Sequence, residues 1–396
     1  MPTAFLLGAG CPCAIRVDDG LGKKRALVPD VLALTAVVST RLSAAEKTKA
    51  GFAIVLKQLK GKLGREPNIE EILTQIRTLR QVIGNEKLDG LTAEDLDALD
   101  IAACQEIVNI VEVKLPNGEQ PFAELAGWIS AVPREHPVEI FTTNYDLLIE
   151  QSLEACRVPY FDGFVGANHA FFDLNSIEQD KVPSRWARVW KLHGSVSWFQ
   201  GEAGHVFRGY SGGSGARRLI HPSHLKYEES RRMPYLAMMD RLRAFLKQEP
   251  AALFVCGYSF SDYHLNEILV QSLEGNPSAA CFALLFNQLE AYPNAAKLAK
   301  QRPNLNVLAP DEGTIGARRG KWMKPGTLDA TTLGAAFEIK EPVHLKKESA
   351  EAKPAAAADL DAPQEAKCRL GDFAYLGKFL SEIAGAQMTT SQSNGS

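Results

Sequence analysis

The stretch Val138-Glu139-Ile140-Phe141-Thr142-Thr143-Asn144-Tyr145-Asp146 decides the fold. Its apolar first half reads as a buried strand that empties into a polar loop, and Leu147, Leu148 and Leu153 then begin a helix. Open parallel sheets bind ligands outside the carboxyl ends of their strands, so a polar loop placed there is a candidate site. Three further segments share this shape: Phe5-Leu6-Leu7-Gly8-Ala9-Gly10, Val189-Trp190-Lys191-Leu192-His193-Gly194-Ser195 and Leu253-Phe254-Val255-Cys256-Gly257-Tyr258-Ser259-Phe260.

Outward from these four turns the chain alternates strand and helix. Residues 158–161, 188–192, 251–255, 280–286 and 305–308 read as strands, and 234–247 and 288–300 as helices. A further helix carries Leu265, Ile268 and Leu269 behind a cap at Ser261 or Asp262. Residues 162–185 read as irregular, 196–207 as a hairpin and 209–218 as a flexible loop. This rhythm predicts the α/β class: a Rossmann-like, doubly wound, mostly parallel sheet with right-handed crossovers.

From about Pro29 to Pro133 the rhythm gives way to a helical insertion. Ile69, Ile72, Leu73, Ile76, Leu79, Val82 and Ile83 recur at helical spacing behind an Asn68/Glu71 capping box, and a second helix starts near Thr92. The insertion contains little chemistry and reads as a cover, an assembly surface or a gate. After the main domain, residues 1–310, come an extension at 311–338 and an Ala/Lys/Glu/Pro-rich linker at 339–367. A short amphipathic helix at 368–387 reads as a docking or assembly element, and 388–396 as a disordered tail.

The 396 residues are 45% hydrophobic, ample for a core. A net charge of -3 gives no general attraction to nucleic acid or anionic membrane. Seven scattered cysteines make no disulfide framework, and no apolar run spans a bilayer, so a soluble cytoplasmic protein is expected.

Each turn has a chemical and a plain reading. Gly8-Ala9-Gly10 with Pro12 behind it makes a strand–turn–helix junction suited to a pyrophosphate, or simply a tight turn. Asn144 and Asp146 can hold ribose hydroxyls, or cap the following helix. His193 can take a proton, or be a satisfied turn histidine. Ser259 can hydrogen-bond a ligand, or Gly257-Tyr258-Ser259 is only a turn. Cys11 and Cys13 lack a second cysteine pair and read as packing residues.

Taken together, the four turns resemble the sirtuins, specifically divergent bacterial relatives that hydrolyse NAD in anti-phage defence. Gly8-Ala9-Gly10 is similar to the family's opening Gly-Ala-Gly, and Thr142-Thr143-Asn144-Tyr145-Asp146 to its Thr-Gln-Asn-x-Asp. Lys191-Leu192-His193-Gly194-Ser195 resembles the His-Gly motif, and Gly257-Tyr258-Ser259-Phe260 the Gly-Thr-Ser-Leu turn. The resemblance covers roughly residues 1–310 outside the insertion. Three departures stand out: residues 196–218 contain no cysteine, where deacylases carry two Cys-x-x-Cys pairs; the first turn runs Gly10-Cys11-Pro12-Cys13 where a serine is expected; and the usual Phe-Arg has no clear counterpart, Ile15-Arg16 standing in its place.

The resemblance implies an NAD glycohydrolase, with NAD as substrate and no zinc or other metal. Asn144, Asp146 and His193 would be catalytic. Gly8, Ala9, Gly10, Thr143, Gly257 and Ser259 would bind the dinucleotide. It also implies control by homo-oligomeric assembly or by a partner, a HerA-type ATPase being the first to test. A zinc-free deacylase and a non-catalytic ADP-ribose sensor or assembly subunit are the competing readings.

Overall fold

The computed structural model describes residues 1–20, 22–84, 86–131, 134–167, 169–201, 205–209, 217–220, 233–324, 336–339 and 364–393. The chain divides into two units. One comprises Ala4–Gly118 and Arg134–Phe245, and is called the Asn144 unit below. The other comprises Met1–Thr3, Glu119–Pro133 and Leu246–Ser396, and is called the Ser259 unit.

In the Asn144 unit the strand Val138–Thr142 pairs in parallel with Ala187–Lys191, Thr142 lying opposite Lys191. Tyr160–Phe161 continues the parallel ladder beyond it, and residues 4–7 of the strand Thr3–Leu7 flank Val138–Thr142 on the other side. Every residue of the two central strands is buried, as their nearly continuous apolar runs require. The charged exceptions are paired. Glu139 accepts from the Trp190 indole at 2.6 Å and from Arg241 at 3.2 Å. Arg188 donates to the carbonyls of Trp186 and Val182 and meets Asp180 at 3.3 Å. Lys191 meets Glu150 at 3.1 Å.

The insertion in this unit is four helices, Val31–Ala44, Glu46–Leu63, Ile69–Val82 and Ala93–Val111, packed on one another. Their starts are set locally. Asn68 and Glu71 form the expected capping box, and Thr92 forms another with Asp95. Buried Arg77 on the third helix holds buried Asp100 on the fourth at 2.7 Å. The expected hairpin is present as Gly194–Gln200 against Val206–Arg208, within a five-stranded antiparallel sheet that also holds Ala170–Phe172, Phe164–Val165 and Arg217–Ile220. The stretch expected to be irregular therefore contributes two strands of two and three residues, too short to show a period, and the helix Leu174–Gln179. Of the expected loop at 209–218, residues 210–216 lie outside the described ones.

In the Ser259 unit, Ala251–Cys256, Ala279–Leu284 and Leu305–Leu308 pair in parallel. Glu312–Ile315 and Arg318–Lys321 add an antiparallel hairpin. The helix expected at 288–300 is broken. A 3-10 turn at Leu289–Ala291 precedes Pro293–Gln301, because proline suits only the first turn of a helix.

The helical segment predicted as one insertion is divided between the units: its last helix, Pro121–Ala131, belongs here and packs against the C-terminal helix Phe373–Ser393. The rings of Phe122 and Phe373 meet edge to face at 4.9 Å, and Leu376, Leu380 and Ala384 are buried. The helix expected to dock elsewhere is thus part of this unit's core. It also continues through Ser393, into the stretch expected to be disordered. The last part of the expected linker, 364–367, belongs to the strand Gln364–Cys368, which lies between Met323–Lys324 and Phe337–Ile339, while 340–363, including Lys353 to Ala358, lies outside the described residues.

The α/β class with mostly parallel strands of Rossmann-like type and a helical insertion is the one the strand–helix rhythm predicts. No helix among the described residues is long and apolar enough to cross a membrane.

Candidate active site

Within the Asn144 unit three strand ends lie side by side. The amide of Thr143 and the hydroxyl of Thr142 donate to the carbonyl of Leu7 at 3.1 and 2.9 Å. The amide of Leu192 donates to the carbonyl of Thr142 at 2.8 Å. These bonds bring Gly8, Thr143–Asp146 and His193 to one edge, the carboxyl end that the topology reserves for ligands.

Asn144 is held at both ends. Its backbone amide donates to the Thr142 hydroxyl at 3.0 Å, and its side-chain amide donates to the carbonyl of Gly8 at 3.1 Å. With the amide nitrogen so engaged, the side-chain oxygen is the acceptor that faces away from Gly8. The Gly8 carbonyl also accepts from the Cys11 amide at 3.0 Å, closing the tight turn. The helix behind it, Gly10–Cys13, is a single turn, so it supplies little dipole toward a bound pyrophosphate. The Cys13 thiol donates to the carbonyls of Ala9 and Val28. Burial and Asp30 push that thiol up to about 11, the state of a packing residue and not of a nucleophile. Ile15 is buried and Arg16 exposed on the small hairpin Arg16–Asp18/Lys24–Ala26.

Asp146 binds the start of the following helix, whose N-cap position is Leu147. Its carboxylate accepts from the Leu148 amide at 3.1 Å. Burial raises its pKa to about 6, while Lys191 and the Leu148 amide pull the other way. The ammonium of Lys191 donates to the backbone carbonyl of Asp146. Tyr145 between them carries a carbonyl that accepts from the Val196 amide at 3.0 Å. Its phenol is pushed well above the usual range by burial and by Glu70 of the insertion, with Arg77 opposing. The helix that follows, Leu148–Ala155, is tied to the end of the insertion by Gln151, which accepts from the Leu115 amide and donates to the Val113 carbonyl.

His193 is 7% exposed at the end of Ala187–Lys191. Gly194 follows with φ +94°, a conformation glycine adopts freely, and this reverses the chain into Gly194–Gln200.

Gly257 and Ser259 end Ala251–Cys256 in the Ser259 unit. Gly257 has φ +68° and Phe260, unusually for a large side chain, φ +57°. The Phe260 carbonyl accepts from the side-chain amides of Asn266 at 2.8 Å and Asn294 at 3.0 Å, which hold the turn in that shape. Asp262, the second of the two expected caps, accepts from the amides of His264 and Leu265. Ser259 is exposed, its hydroxyl 3.1 Å from that of Ser261.

Sequence reasoning missed Lys191, Glu150 and the two asparagines on Phe260. The only signal for Lys191 was a charge at the last position of an apolar run, and a cation there needs a partner the sequence does not identify.

No curated protein matches the chain. Among solved structures it is similar to one described as a crystal structure of a Sir2 homolog–NAD complex, at 13% identity and a TM-score of 0.31, over 74% of this chain and 81% of that one. Residues 138–307, which carry Asn144, Asp146, His193, Gly257 and Ser259, match the family model described as SIR2-like domain, and this supports a sirtuin-like family.

Proposed function

We propose that the chain binds NAD and hydrolyses its nicotinamide–ribose bond. The observation that carries the reading is the placement of Asn144 and His193 at the ends of neighbouring parallel strands, with the Asn144 amide anchored on the Gly8 carbonyl. NAD and water would give nicotinamide, ADP-ribose and a proton. Nicotinamide leaves as a neutral base, so charge develops at the anomeric carbon in an oxocarbenium-like transition state, and preorganised dipoles carry much of the acceleration.

In this reading the Asn144 side-chain oxygen orients the ribose and the attacking water. His193 accepts the proton, directly or through a ribose hydroxyl. Asp146 fixes the turn beneath Asn144 and the ribose side of the pocket. Thr143, Gly8, Ala9 and Gly10 contact the dinucleotide. Water is favoured over acyl-lysine as acceptor because residues 196–218 contain no cysteine for a zinc module. Free NAD hydrolysis endangers the cell that makes it, so the activity is proposed to be held for anti-phage defence. Homo-oligomeric assembly or a HerA-type ATPase would then control it.

The test is nicotinamide and ADP-ribose release from NAD by the purified protein, alone and with the candidate ATPase. Turnover should vanish in Asn144→Ala and His193→Ala, each folded by circular dichroism. Nicotinamide release that depends strictly on an acylated peptide would replace this reading with a deacylase, and ADP-ribose binding without any turnover would replace it with a sensor.

A further inference from the structure

Lys191 is an oddity of the fold: a lysine 2% exposed at the last position of an all-buried strand. Burying an ammonium is costly unless it is paired and hydrogen-bonded. Here it lies 3.1 Å from Glu150, whose carboxyl is itself 9% exposed, and it donates to the backbone carbonyl of Asp146. Among the described residues the second Glu150 oxygen is buried with no hydrogen-bond partner, so the ammonium is the ion-pair partner that holds this carboxylate. The three groups come from three elements. Lys191 ends the strand that leads to His193, Asp146 ends the Asn144 turn, and Glu150 sits on the helix Leu148–Ala155 behind that turn.

We propose that Lys191, seated on Glu150 and bonded to the Asp146 carbonyl, is a positioning residue that locks the Asn144 turn to the strand end bearing His193. The proposal rests on the NAD-cleaving reading and adds to it a residue that touches neither substrate nor reacting atoms. Neutral capping would serve for the backbone carbonyl alone. An ammonium is needed because the group lies 3.1 Å from the Glu150 carboxylate and its charge also favours the ionised form of Asp146. The charged and titratable groups that act on the Asp146 side chain are Lys191 and Glu150, with the Cys13 thiol on the first turn, and the Leu148 amide of the following helix bonds it. The cation therefore sets both the turn's geometry and the ease with which Asp146 ionises.

The experiment compares full-length wild type with Lys191→Met, Lys191→Arg and Glu150→Gln. For Lys191→Met the expected result is a fall in kcat of roughly 10- to 100-fold with KM little changed, as for a misplaced catalytic group. Its acid limb should move to higher pH. Glu150→Gln, which removes the opposing charge, should move the limb to lower pH, and Lys191→Arg should lie nearer wild type. Carbon-13 NMR of the Asp146 carboxyl, read without substrate, should shift in the same two directions. Unchanged kcat in Lys191→Met at every pH would overturn the proposal. So would a loss equal at all pH values with the Asp146 titration unmoved. If wild type itself leaves NAD intact, the NAD reading fails, and the Asp146 titration still decides the role of Lys191.

Discussion

The side-chain amide of Asn144 donates to the backbone carbonyl of Gly8 at 3.1 Å, joining two motifs that lie 136 residues apart in the chain. The bond fixes which end of the side chain is presented outward. It also makes the turn at Gly8 structural as well as a candidate binding element.

Asn144→Asp tests that orientation. The change is isosteric, but an ionised carboxylate can only accept, and it would face the Gly8 carbonyl in a buried place. A loss of about 1–3 kcal/mol in urea-unfolding stability is expected, the cost of a buried polar group left unsatisfied. Asn144→Ala, which removes both partners of the conflict on the side-chain side, should cost no more than the aspartate does.

Asp146 should make stability depend on pH. Its native pKa of about 6 lies above its ordinary value of 3.8, so the native state holds a proton that the unfolded chain has released. Between these values stability falls as pH rises, and the span of roughly two units corresponds to about 3 kcal/mol at most. Asp146→Asn should flatten that part of the curve. Chemical denaturation of both proteins from pH 4 to pH 7 measures it, and a wild-type curve that rises with pH across this range would contradict the assignment.

The Arg77–Asp100 pair should behave as a buried ion pair. Removing one partner, as in Asp100→Ala, leaves an uncompensated charge in the insertion and should cost about 3–5 kcal/mol. The double change Arg77→Met, Asp100→Leu should recover most of this, because the desolvation penalty goes with both charges. Thermal melts of wild type and the two variants distinguish pairing from simple packing loss.

Gly371 should be intolerant of any side chain. A Cβ there would collide with the Leu285 carbonyl, which is backbone and cannot swing aside. Gly371→Ala should loosen the segment leading into the helix Phe373–Ser393 and expose it to limited proteolysis. Gly385→Ala, in open space on the same helix, should not.

The sequence was most legible where the signal is local. Strand ends at Thr142, Lys191, Cys256 and Leu308 lie within a residue of where hydrophobic runs meet polar turns, and the Asn68 box is specified by residues three apart. It was least legible for the C-terminal helix. An amphipathic face behind a Pro- and Ala-rich stretch looks the same whether its partner lies in another molecule or, as here, in Pro121–Ala131 of its own chain. The break at Pro293 was visible in principle, since proline marks a helix start as readily as it interrupts one.

The sequence alone determined the alternation of apolar runs with helical periods, and hence the α/β class, and it placed four polar turns at strand ends. Those features depend on side-chain periodicity and turn chemistry, which neighbours along the chain settle. Only the tertiary structure decided that Leu7, Thr142 and Leu192 bond across adjacent strands, and that Asn144 reaches Gly8. It also decided that a lysine in an apolar strand finds Glu150 and the Asp146 carbonyl. A buried charge or amide is tolerable only with a partner, and a partner brought from a distant part of the chain by folding leaves no periodic trace in the sequence.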